Sequence, residues 1–134
     1  MVSKANYEWP DGFPPGVPIE EAIPASGKVY RLVKNIPPTE QDFQMYREDR
    51  PDIHFTKDKI PFSYGVSVWS ELSRIVREKE RYPSPEQFGN KTIVGGELTD
   101  DLGLMYACTV NEGHVTLWSQ EGAEPHLQIC EEIT

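Results

Sequence analysis

Apolar residues in this chain recur at every second position in one segment after another, whereas the best helical stripe is a single stretch, Glu71 to about Arg81. Period two is the spacing of a half-buried strand, because successive side chains of extended backbone point to opposite faces. The segments follow one another with hairpins and without a regular strand-helix alternation. That order predicts an α+β fold: a single compact domain on a mainly antiparallel sheet of five to six strands, with two or three short helices. At 134 residues the chain can build one hydrophobic core but not two.

Five prolines between Tyr7 and Gly27 forbid a long helix there, so residues 1–27 read as a proline-rich, non-regular arm packed on a domain spanning 28–134. Trp9 and Phe13 in this arm either pin it to the domain, the favoured reading, or dock a partner. Lys28 to Lys34 reads as the first strand, with Val29, Arg31 and Val33 on one face and Tyr30 and Leu32 on the other. Thr39 can cap a short helix to about Asp49 with Phe43 and Tyr46 on one side, and residues 50–63 read as a surface loop. A strand at Gly65–Trp69 precedes the helix whose stripe is Leu72, Ile75 and Val76, and Ser84–Gln87 carries a second helix start. Thr92 to Leu98 reads as a strand bent or bulged at Gly95-Gly96. Leu104–Val110 and His114–Ser119 form a hairpin around Asn111-Glu112-Gly113, and Leu127–Ile133 is a last strand with Leu127, Ile129 and Ile133 inward.

The net charge of −9 is unevenly placed: residues 83–134 hold one basic group against nine acidic ones, while the two preceding thirds are close to neutral. Such a pole repels nucleic acid and favours a basic partner protein, or simply keeps the protein soluble. Candidate contacts are Trp9, Phe13, Glu112, Glu121, Glu124, Glu131 and Glu132, in a binding or regulatory module of the antitoxin, immunity or phage-defence kind. No apolar run long enough to span a membrane occurs, and no secretory signal stands at the N-terminus, so a cytoplasmic location without a membrane partner is expected. Cys108 and Cys130 are expected unbridged in apolar strand surroundings. The standard phosphate-loop, dinucleotide and nucleophile-elbow motifs are absent, and Gly65-Val66-Ser67-Val68-Trp69 lacks the second glycine of an elbow. His54, His114 and His126 stand singly, without the pairing that marks a local metal motif, so neither a metal nor any other cofactor is expected on the favoured reading.

One ordered set lies on strands: Arg31 on the first, Ser67 on a central one, and Glu131 or Glu132 on the last. This order resembles the arginine-serine-glutamate pattern of ADP-ribosyltransferase-like folds. The resemblance implies NAD as the consumed cofactor, with Arg31 gripping phosphates, Ser67 orienting the nicotinamide ribose, and a glutamate stabilising positive charge as nicotinamide leaves. His114 or Tyr30 would be the stacking groups. The plainer account pairs Arg31 with a cross-strand carboxylate and leaves Ser67 as a small packing residue. A second likeness runs through Val29-Tyr30-Arg31-Leu32-Val33-Lys34-Asn35, Gly65–Trp69, Gly96-Glu97-Leu98-Thr99, His114 and Trp118. In these the chain resembles a group of small bacterial proteins with no assigned activity, which implies a bacterial single-domain protein and no particular chemistry.

Overall fold

The computed structural model describes residues 7–81, 91–108 and 112–133. Seven strands, β1 (Ile23–Pro24), β2 (Gly27–Val33), β3 (Val66–Trp69), β4 (Thr92–Leu98), β5 (Gly103–Ala107), β6 (His114–Ser119) and β7 (Glu131–Glu132), form one sheet in the order β1-β5-β6-β3-β2-β4-β7. Every pairing is antiparallel. Among the described residues three α-helices, α1 (Tyr46–Asp49), α2 (Ile60–Ser63) and α3 (Leu72–Arg81), complete the α+β fold. No helix among the described residues is long and apolar enough to cross a membrane.

Strand alternation divides the burial between two clusters. Val29 and Val33 of β2, Val66 and Val68 of β3, Val94 and Leu98 of β4, and Val115 and Leu117 of β6 make the main core, closed by Phe43, Leu102 and Ile129. Leu104 and Trp118, register partners on β5 and β6, instead meet the arm residues Tyr7, Val17 and Ala22. Trp9 and Phe13 stack in series with Tyr7, and Phe13 meets Tyr64 edge to face, so these aromatics fasten the arm. Tyr7 also donates its hydroxyl to the Asp100 carbonyl at 2.6 Å.

Several expectations change. The strand count among the described residues is seven, not five to six, because the arm, expected to be non-regular, contributes β1 to the sheet. The expected helix after Thr39 is split: a 3₁₀ turn at Glu40–Phe43, then extended backbone at Gln44 and Met45, then α1. Phe43 is consequently in the core while Tyr46 is exposed and meets Phe55. The expected last strand shortens to β7 behind a 3₁₀ turn at Pro125–Leu127, leaving Leu127 62% exposed and Ile129 fully buried. Gly95 and Gly96 make no bulge; β4 pairs continuously with β2 from Leu98 to Thr92. Their missing side chains admit neighbours: a Cβ on Gly95 would stand 2.9 Å from the Tyr30 ring, and one on Gly96 would collide with the Gln128 carbonyl. The hairpin of β5 and β6 forms with Gly113 at φ +88°, while the helix start at Ser84–Gln87 lies outside the described residues. Both cysteines are unbridged; Cys130 is exposed, not embedded in a strand.

Candidate functional site

Strands β2 and β3 are neighbours, yet their register contains one pair, Tyr30 opposite Trp69. Beyond that pair the Arg31 guanidinium takes over the bonding. Its Nη1 donates to the Ser67 carbonyl at 2.7 Å, its Nε to the Asp42 carbonyl at 2.6 Å, and its Nη2 to Asp49 Oδ2 at 3.0 Å. The cation also lies over the Phe43 ring, 5.4 Å from its centre. A planar fork with five donors is the one side chain able to satisfy a carbonyl on each of two segments and a carboxylate on a third. Burial lowers the Arg31 pKa from its ordinary value, opposed by Asp49 and then Asp42.

Asp42 holds the same corner from the other side. Its carboxylate accepts from the Lys34 N–H at 2.8 Å, the Thr39 N–H at 2.9 Å and the Asn35 amide at 3.1 Å. Burial pushes the Asp42 pKa up, but these hydrogen bonds together outweigh it and leave the group below the ordinary carboxylate range.

Next to this joint, Ser67 Oγ and His114 Nε2 stand 2.6 Å apart. They come together because β3 pairs with β6 with Ser67 opposite Thr116 and Trp69 opposite His114, making serine and histidine diagonal neighbours on one face. Burial depresses the His114 pKa, so the imidazole is neutral near pH 7. With the proton on Nδ1, Nε2 accepts from the serine hydroxyl, the arrangement of a hydroxyl backed by a base. The Trp69 ring meets His114 edge on, with ring centres 5.0 Å apart.

Arg31, Ser67 and His114 line one cavity of about 1060 Å³, together with Trp69 and Tyr106 and a rim that includes Lys34, Arg50, Lys59 and Lys91. Five cations face three carboxylates, Asp42, Asp49 and Glu78, among the described lining residues. The size is at the upper end for ligand pockets, and cations beside aromatic rings suit a phosphorylated ligand bearing rings.

The glutamates expected to join Arg31 and Ser67 do not line this cavity. Glu131 and Glu132 sit on β7, the sheet edge separated from β2 by β4, and Glu131 faces Lys28 at 3.6 Å. Tyr30 is likewise outside the cavity lining, beneath Lys28. The carboxylates of the acidic third fall in separate places: Glu97 with Glu131 and Glu132 along β4 and β7, Glu112 beside the β5–β6 turn, and Glu121 with Glu124 after β6. Comparison with protein-family models, curated proteins and solved structures finds no significant match, so the site stands on its geometry.

Sequence reasoning missed His114 as the partner of Ser67, because the two are 47 residues apart and only the β3–β6 register unites them. The one available signal was that both fall on period-two segments at alternating positions. Asp42 and Asp49 were hidden in what read as a continuous surface helix.

Proposed function

We propose that the protein binds and cleaves an NAD-type dinucleotide in this cavity, as an ADP-ribosyltransferase-like enzyme. The observation that carries the reading is the joint between β2 and β3, where the arginine and serine strands lie side by side and Arg31, Ser67 and His114 face one large cavity. Lys34 and Lys59 at the rim attract the pyrophosphate, and Arg31 can exchange its half-exposed Asp49 partner for a phosphate oxygen. The Ser67 hydroxyl, held by neutral His114, orients the nicotinamide ribose. Trp69 and Tyr106 offer faces for the rings.

The carboxylate role passes to Asp49. Asp42 has its oxygens committed to Lys34, Asn35 and Thr39, whereas Asp49 lines the cavity beside the guanidinium and is held by Arg31. In the reaction the bond between the ribose C1′ and the nicotinamide nitrogen breaks, and nicotinamide leaves with the electron pair. Water, or an acceptor group, forms the new bond to C1′ and releases a proton. A fixed carboxylate beside the ribose stabilises the positive charge that builds at C1′.

A second reading keeps the acidic edge as a docking surface for a basic protein, favoured by Leu127 standing exposed in the same segment as exposed Glu124, Glu131 and Glu132. One set of variants tests both. Nicotinamide release is expected to fall about 10²- to 10⁴-fold in Asp49→Asn and in His114→Ala, and to be unchanged in Glu131→Gln/Glu132→Gln. Release by none of these proteins, with salt-sensitive retention on a basic protein that the double variant abolishes, would replace the enzyme reading with the docking one.

A further inference from the structure

A second concavity of about 420 Å³ has the opposite chemistry. Glu40, Glu48, Glu121, Glu124 and His126 line it, and no lysine or arginine does so among the described residues. Three of these converge: one ligand atom each from Glu40, Glu124 and His126 lie within 4.8 Å of one another. They come from two distant segments, Glu40 from the 3₁₀ turn after β2, Glu124 and His126 from the turn after β6.

We infer that Glu40, Glu124 and His126 form a binding site for a first-row divalent transition cation, with Zn²⁺ the preferred ion. Two carboxylates and an imidazole are a mixed oxygen-nitrogen donor set, and imidazole favours zinc and its neighbours over magnesium and calcium. Donors bound at about 2.1 Å stand roughly 3 to 4 Å apart, so a contraction of about an ångström, within the rotamer freedom of two exposed glutamates, lets one ion touch all three. A second observation points to the same place. Ser119, another lining residue, holds a solvent-sealed Oγ without a hydrogen-bond partner among the described residues. A buried hydroxyl left without a partner in this wall would gain one if the site, closing on an ion, admitted a metal-bound water beside it.

With three protein donors the ion keeps open positions toward the cleft. Binding also ties the segment around Glu40 to the segment around His126, so it raises thermal stability by linkage. This site is independent of the dinucleotide reading, and its failure leaves that reading intact.

Full-length protein treated with a chelator and dialysed is titrated with ZnCl₂ and, separately, MgCl₂ by calorimetry. One Zn²⁺ per chain is expected, with affinity at least tenfold weaker in His126→Ala and, independently, in Glu40→Gln, unchanged in Glu112→Gln, and Mg²⁺ at least 100-fold weaker than Zn²⁺. Circular dichroism on each variant separates lost binding from lost folding. Zn²⁺ affinity unaltered in both folded site variants, or Mg²⁺ binding as tightly as Zn²⁺, overturns the inference and leaves only a diffuse acidic surface.

Discussion

The cation-rimmed cavity and the carboxylate-lined cleft share their walls. Along the segment from Glu40 to Arg50, Gln41, Asp42, Gln44, Tyr46 and Asp49 face the cavity, while Glu40, Phe43, Met45 and Glu48 face the cleft. A strict alternation appears only at the approach to β3, with Gly65 and Ser67 on the cavity and Tyr64 and Val66 on the cleft. The 3₁₀ turn at Glu40–Phe43 and α1 carry side chains on more than one face, and the extended backbone at Gln44 and Met45 sends neighbours in opposite directions, so one stretch of chain can furnish two sites of opposite charge. A net charge of −9 therefore describes neither: among the described residues the molecule gathers cations around one opening and leaves them out of the other.

The largest expected effect tests whether Arg31 is the joint between these regions. Arg31→Ala removes a guanidinium whose side chain is 11% exposed and leaves two carbonyls and Asp49 without their donor. Unfolding in urea should show a loss of about 3 to 5 kcal/mol. A loss below about 1 kcal/mol would mean that the shared wall stands without it. Arg31→Lys, with a point charge in place of the fork, should fall in between.

Asp42→Asn weakens the corner on the cavity side alone and should cost about 1 to 3 kcal/mol at neutral pH, again read by urea unfolding. The sign of its pH dependence follows from a folded-state pKa lower than the unfolded one. The contribution is complete above the ordinary carboxylate value of about 3.9 and is lost as pH falls below it toward the folded value. The gap between wild type and variant should accordingly narrow on acidification, and a gap that widens would refute the assignment. The smallest effects belong to the exposed rim: Lys34→Ala and Lys59→Ala should each weaken NAD binding about two- to fivefold at low salt and hardly at all in 1 M salt. Zn²⁺ affinity in the other concavity should be indifferent to both.

Much of the framework was legible because it depends on local rules. Alternation marked β2, β3 and β6, and the helical stripe ending in Ile75 and Val76 marked α3. Gly113 marked the hairpin, because its left-handed backbone suits glycine. The site was less legible. Arg31 and Ser67 were marked as a pair by strand position alone, whereas the third member was placed on β7 because that strand was acidic and last in sequence. The glycine pair at 95–96 read as a bend because its reason, the approach of Tyr30 and Gln128, lies on other segments.

By itself, the sequence determined the α+β class, the period of each main strand, and an acidic C-terminal third. The order β3-β2-β4-β7 across the sheet, the meeting of Ser67 with His114, and the convergence of Glu40 with Glu124 and His126 were decided only by the tertiary structure. Local backbone preferences act over a few residues, while strand neighbours are chosen by which apolar faces can be buried together. A site assembled across strands is written in that global choice and in no single stretch of chain.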